Sequence, residues 1–175
     1  GNPVEISVKE DAAAAAVVFK TVDDPFIGKL SYIKVISGKI SSESQLINMR
    51  TANTERIGKT VFMNGKKQID VKFITAGDIG AIPKLSSTNT GDTLCAPTRK
   101  VILDPVDYPT PAMSMAVKPK NKGDEDKIAQ GLLRLSEEDP TIKFENNNET
   151  HEMVLYGLGE QHLDVIISKL KSKFG

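Results

Sequence analysis

The stretch that decides the fold begins Arg134-Leu135-Ser136-Glu137-Glu138-Asp139-Pro140-Thr141 and runs on through Ile142 and Phe144. A polar segment follows, and then Gly157-Leu158-Gly159-Glu160-Gln161-His162-Leu163. Pro140 stops a helix, because proline lacks the N–H and its ring clashes with the preceding turn. One helix therefore ends, two strands pair and a second helix starts between Arg134 and Leu163. Acidic and polar side chains gather at the element ends, where an interface can form.

Upstream of this stretch, Ile128, Leu132 and Leu135 recur at helical spacing, with Ala129 and Leu133 widening the stripe. Asn121 is the candidate N-cap, and Asp124-Glu125-Asp126 suit the positive end of the helix dipole. Before that, Ala112–Val117 alternates: Met113, Met115 and Val117 point one way, Ala112, Ser114 and Ala116 the other. Downstream, Thr141–Glu145 and Glu152–Tyr156 read as strands joined by a hairpin loop over Asn146–Thr150. Glu160 to Phe174 reads as a second amphipathic helix, striped by Leu163, Ile166, Ile167, Leu170 and Phe174 and ending in Lys169, Lys171 and Lys173. The order β-α-β-β-α predicts an α+β, ferredoxin-like split βαβ domain lacking its last strand, which should begin where the sequence stops at Gly175.

Pro105, Pro109 and Pro111 make a stiff connector, so the expected domains are 1–104 and 105–175. The first of these shows no helical periodicity. Ala14–Thr21, Gly28–Gly38, Gln45–Met49, Glu55–Met63, Gln68–Phe73 and Ile79–Lys84 read as short strands. Asp23-Asp24-Pro25 ends the first, Asn64-Gly65 signals a hairpin, and Ala76-Gly77-Asp78 and Thr90-Gly91-Asp92 are tight turns. In the second strand Leu30, Tyr32, Lys34 and Ile36 share one face and Ile33 and Val35 the other. The fold class that follows is an all-β barrel, which hides its sheet edges.

Charge and composition exclude several function classes. The chain of 175 residues has a formal net charge of zero, with 14 Lys+Arg against 11 Asp+Glu up to Asp104 and 9 against 12 beyond it. Binding to bare DNA or RNA by charge alone would call for a far more basic chain. No apolar run reaches the roughly 18 residues of a membrane span. The single cysteine, Cys95, excludes an internal disulfide and suits a reducing cytoplasm. Gly58-Lys59-Thr60 ends like a phosphate-binding loop, but the glycine required five positions earlier is Asn53 and the context is a strand. No cofactor-binding or metal-ligating set appears, and Glu160 and His162, two apart on a helix, diverge rather than form an acid–base pair.

Five ordered runs of the first domain carry a resemblance: Asp24-Pro25-Phe26-Ile27-Gly28-Lys29-Leu30, Ser37-Gly38, Glu55-Arg56-Ile57-Gly58, Ala76-Gly77-Asp78-Ile79 and Thr90-Gly91-Asp92-Thr93-Leu94-Cys95. Together with Ala116-Val117-Lys118-Pro119-Lys120 and the two runs quoted first, their order and spacing resemble domains II and III of translation elongation factor G, a translational GTPase. Gln161 replaces the usual leucine, and Thr51-Ala52-Asn53-Thr54 stands where the family often carries a lysine-rich loop. The resemblance implies a β-barrel leaning on small-subunit ribosomal RNA, with Lys29, Lys34, Arg50, Arg56, Lys66 and Lys67 as the candidate contacts. On their own chemistry Lys29, Lys34 and Arg56 are more often solvated barrel-face residues, with Arg50, Lys66 and Lys67 supplying nearby charge. It further implies that the second domain docks on the GTPase domain. Arg134, Glu137, Glu138, Asp139, Glu160 and His162 are the candidate interface, near the cleft where fusidic acid locks the factor. Capping and packing are the local alternative for Glu160 and His162, and a solvated helix end for the others.

On this resemblance the chain itself is no enzyme. GTP and Mg belong to the full-length cytoplasmic protein, with its GTPase domain and domains IV and V, working on the ribosome in translocation and protein biosynthesis, with no membrane and no DNA partner. Two alternatives stay open. A ribosomal protection or release-type GTPase shares domains II and III. A free-standing acylphosphatase-like enzyme shares the split βαβ fold, but it wants a loop arginine, and the only arginine after Pro105 is Arg134, within a helix. Pairing of the expected last strand with Ala112–Val117 generates a test: lengthening the chain through that strand should raise the thermal stability of the second domain. Unchanged melting would count against the fold assignment.

Overall fold

Residues with strand preference, Val17, Val18 and Phe19 in the first run and Tyr32, Ile33, Val35 and Ile36 in the second, produce two long antiparallel strands, β1 (Ala15–Asp24) and β2 (Gly28–Ser37), in the computed structural model. The structure describes residues 3–24, 26–120, 123–147 and 152–174, so Pro25, Asn121 and the hairpin residues 148–150 lie outside the described residues. The chain divides into two compact units, Gly1–Val106 and Asp107–Gly175.

In the first unit, β3 (Lys39–Ser41), β4 (Gln45–Asn48), β5 (Thr54–Arg56), β6 (Thr60–Asn64), β7 (Lys67–Val71), β8 (Phe73–Thr75), β9 (Ile79–Pro83) and β10 (Thr93–Cys95) follow. An antiparallel sheet in the order β5-β4-β10-β1-β2-β9-β6-β7 rolls into the expected barrel, and β3 and β8 form a separate ladder. The interior is filled by branched side chains, including Val18, Ile33, Val35, Ile40, Ile57, Ile74, Ile82 and Leu94. Ile33 and Val35 take the inner face of β2, as the alternation requires.

Two expected strands are each divided. Glu55–Met63 breaks at Ile57-Gly58-Lys59, because Ile57 turns into the core and exchanges backbone hydrogen bonds with Glu43 (2.6 Å) and Ser44 (2.9 Å). Gln68–Phe73 breaks at Lys72, where the chain leaves β6 and moves to pair with β3. The first strand also runs further than its turn signal suggests, with Asp23 paired to Lys29 and Asp24 to Gly28. In the β6–β7 hairpin Asn64 pairs with Lys67, so the two loop residues are Gly65 and Lys66. Only Gly65 has a positive φ, +58°, which fits a turn wanting glycine at its first central position.

In the second unit the order is β11 (Met113–Val117), α1 (Glu125–Glu138), β12 (Lys143–Asn147), β13 (Glu152–Gly157) and α2 (Glu160–Phe174). The antiparallel sheet order β11-β13-β12 puts the first strand at an edge beside the third, as a split βαβ unit does. Leu132 and Leu135 from α1, Leu155 from β13, and Leu163, Ile166 and Leu170 from α2 form the core. Leu133, expected to widen the stripe, points outward and is 54% exposed. The helices approach closely at Gly131, where an added Cβ would lie 2.5 Å from Leu170 Cδ1. Helix α1 begins after Asp124, which makes no side-chain capping bond, while Glu125 and Asp126 occupy its first turn.

Gly38 joins β2 to β3 with φ +69°, and a Cβ there would stand 2.5 Å from the Ala12 carbonyl oxygen and 2.7 Å from Ala14 Cα. Gly65 has open space around it. Gly65→Ala should therefore cost only the left-handed strain, about 1–2 kcal/mol. Gly38→Ala adds a backbone clash of about 1–3 kcal/mol more. Urea unfolding of the two variants checks the difference, and equal losses would contradict the close approach at Gly38.

Candidate interface sites

In the second unit the site grows from the end of α1. Asp139 closes the helix with its N–H on the Leu135 carbonyl (3.0 Å), and Pro140 follows in the turn. The Asp139 carboxylate then folds the chain back. Its Oδ1 accepts from the Thr141 amide (2.9 Å) and hydroxyl (2.5 Å), an Asx-turn that carries the chain into β12. Its Oδ2 lies 3.0 Å from His162 Nε2 in the first turn of α2.

The other histidine nitrogen is also committed: Nδ1 accepts the Leu158 backbone N–H at 3.0 Å. Nδ1 is thus the acceptor, so the ring proton sits on Nε2 and is donated to Asp139. The space for the ring is made by Gly157, where a Cβ would come within 2.8 Å of Leu163 Cδ2 and 3.1 Å of His162 Nδ1. His162 therefore pins three element ends together: the close of α1, the exit of β13 and the start of α2. Burial works against a charged Asp139, but the donors from Thr141 and His162 outweigh it and hold its pKa below the ordinary carboxylate range.

Of the six interface candidates, then, Asp139 and His162 meet directly. Glu138 is drawn away to Lys173 near the end of α2, at 2.6 Å. Arg134 stacks its guanidinium 5.8 Å from the Phe174 ring centroid. Glu137 is half-buried at the end of α1, and Glu160 is exposed in the first turn of α2.

In the first unit the six basic candidates separate into two groups. Lys29 Nζ donates to Asn89 Oδ1 (2.9 Å), and Lys34 Nζ to the Gly77 carbonyl (2.6 Å). Arg50 forks onto Asp92, with Nε on Oδ1 at 2.6 Å and Nη2 on Oδ2 at 2.9 Å. Arg56, Lys66 and Lys67 are exposed and form no ion pair among the described residues.

Around Arg50 lies a polar network not singled out in the sequence. Asp92, its side chain only 4% exposed, also accepts from the Asn89 amide and from Asn48 Nδ2, both at 2.8 Å. Beside it Glu55 is buried and accepts from the Ser87 amide (2.7 Å), the Ser87 and Thr88 hydroxyls (both 2.9 Å), and the amide and hydroxyl of Ser86 (both 3.3 Å). Burial opposes ionisation of both carboxylates, but these donors hold both pKa values below the ordinary range, and the Asp92 contact raises that of Arg50. The hints in the sequence are the Thr90-Gly91-Asp92 turn, the run that begins with Glu55 and the hydroxyl-rich run Ser86-Ser87-Thr88.

Gly58-Lys59-Thr60 is not shaped for a nucleotide. Lys59 pairs with Asp70 at 2.8 Å, and the Thr60 hydroxyl donates to the Val71 carbonyl at 2.7 Å. Among the described residues, no helix is long and apolar enough to cross a membrane.

The depressed carboxylates set a pH dependence. A folded pKa below the unfolded one stabilises the fold above the unfolded value, about 4, and that contribution is lost as pH falls through the folded value. Stability of the barrel should therefore fall steeply on acidification below about pH 4. Glu55→Gln should flatten that fall and cost about 1–3 kcal/mol at pH 7, because an amide N–H₂ would face donors. Denaturant unfolding across pH checks both. An unchanged acid slope in Glu55→Gln would remove Glu55 from the account.

Comparison with known proteins places this geometry in a family. The model described as elongation factor G domain 2 matches residues 13–97, and that described as elongation factor G, domain III, matches residues 108–175. Elongation factor G of Dehalococcoides mccartyi is 39% identical over 99% of this chain, and that of Salinibacter ruber 41% identical over 95%. The chain spans about a quarter of the length of these relatives, 25% and 24%. A crystal structure from Thermus thermophilus superposes with a TM-score of 0.79 at 29% identity, covering 93% of this chain and 25% of that one. Two domain models of one family, matched in order along most of its length, show that the chain belongs to the elongation factor G family and carries that family's domains II and III.

Proposed function

We propose that this chain is the domain II and domain III portion of a cytoplasmic ribosomal translocase. The barrel, residues 1–104, leans on small-subunit ribosomal RNA. The α+β domain, residues 105–175, relays the state of a GTPase domain lying elsewhere in the full protein. GTP and Mg are held by that other domain, and the ribosome and domains IV and V are the remaining partners. The observation that carries this reading is the ordered match of both domains to one family across residues 13–97 and 108–175.

Within that reading the two groups of basic residues have different tasks. Arg56, Lys66 and Lys67 are exposed and suited to phosphate contact, whereas Arg50 sets the shape of its loop through Asp92. In the second unit, Asp139 and His162 fix the turn whose outer surface meets the GTPase domain. Glu160 projects from the start of α2 toward the same partner.

Purified small ribosomal subunits test the barrel's role. The chain should bind them at low salt and release them as salt rises. Replacing Arg56, Lys66 and Lys67 together with glutamine should weaken binding and lower the salt slope by about two to three contacts. Absence of binding by the unaltered chain would overturn the ribosomal reading, as would GTP turnover by a clean preparation.

A further inference from the structure

The outer face of β1 carries a side-chain arrangement that barrel packing does not require. Strand alternation after the buried Val18 would turn Phe19 outward and Lys20 inward. A register shift intervenes: Val18 pairs with Ile33, but Lys20 pairs with Tyr32, which leaves Phe19 in a β-bulge. The bulge brings Lys20 to the outside beside Phe19 and returns Thr21 to the interior. Bulges of this kind re-aim side chains and recur at sites.

Three groups meet there. Phe19 is 39% exposed, and its ring lies 6.3 Å from that of Tyr32 at an interplanar angle of 60°. The tilt means that the two rings do not cover each other's faces. Lys20 Nζ lies 5.7 Å from the Tyr32 centroid, and Lys20 forms no ion pair among the described residues. Tyr32 is seated on Leu30, Val61 and Ala81, which are buried on this outer side of the sheet, so its ring stands on a fixed floor.

We propose that Phe19, Lys20 and Tyr32 form a stacking platform for an unpaired nucleotide of RNA, with the base on the exposed Phe19 ring and Lys20 on the adjoining phosphate. Aromatic side chains on neighbouring strands with an adjacent cation are the means by which sheet surfaces take single-stranded bases. The exposed apolar surface is one ring beside a cation, which suits a base and its phosphate better than a protein's apolar patch. The platform deepens the proposed ribosomal function and rests on that reading. It also differs in kind from Arg56, Lys66 and Lys67, which offer charge without a ring.

The test measures binding of the full chain to purified small ribosomal subunits across a salt series, with protein-free small-subunit RNA as competitor. Phe19→Leu keeps the bulk and removes the π face; it should bind about tenfold more weakly with the salt slope unchanged. Lys20→Gln should lower the slope by about 0.7–0.9, the value of one phosphate contact. Thermal melting should be unaltered in both variants, since both side chains are exposed. Wild-type binding that neither variant alters overturns the platform and leaves the ribosomal reading standing. Weaker binding by Phe19→Leu with no competition from free RNA assigns the surface to a protein, and also overturns it. No binding by the wild type removes both readings together.

Discussion

A carboxylate taken out of water must find donors, and in the barrel that constraint orders everything near its polar end. Glu55 sits on the short strand β5 with its oxygens turned inward, where loss of hydration would be costly. The amides and hydroxyls of Ser86 and Ser87 and the hydroxyl of Thr88 converge on it and thereby draw the segment after β9 across the sheet. Asp92 continues the same network, joined to it through Asn48, which donates to both Thr88 and Asp92. Arg50 then closes the network from outside. Its orientation follows from the buried acid and not from the turn after β4 that carries it.

The second unit uses the same device on a smaller scale. Asp139 satisfies one oxygen within its own turn and gives the other to His162. Because His162 must accept from Leu158 on one nitrogen, its other nitrogen can only donate, and the pair has one arrangement. Gly157 is the space that allows it. A turn held by three elements at once is stiff, and stiffness at a surface proposed to meet another domain would keep a displacement there from being absorbed locally. That links the hydrogen bonds to the relay role proposed for this unit.

Surface chemistry on the barrel follows from what these networks leave over. Lys29, Lys34 and Arg50 are tied to Asn89, Gly77 and Asp92, whereas Arg56, Lys66 and Lys67 stand in solvent. Charge type alone did not separate these groups in the sequence, since all six are ordinary lysines and arginines. Their division depends on partners about forty to sixty residues away, such as Gly77 for Lys34 and Asn89 for Lys29.

Local physics made much of the fold legible. Alternation in β2, the helical stripes of α1 and α2, Pro140 as a stop and Gly65 in its hairpin all act within a few residues, and the ordered motifs were enough to identify the family. The break at Ile57, the transfer of the chain at Lys72 and the outward turn of Leu133 were not legible, because each is settled by which other strand or helix lies alongside. The same holds at the sites. Sequence placed Asp139 and His162 at neighbouring element ends, and it read Glu55 only as part of a motif. Tertiary structure decided that His162 donates to Asp139, that Glu138 turns to Lys173, and that Glu55 and Asp92 are the buried charges around which the barrel's polar end is arranged. The physical reason is that a desolvated charge is satisfied by whatever donors the fold brings to it, and those donors lie far along the chain.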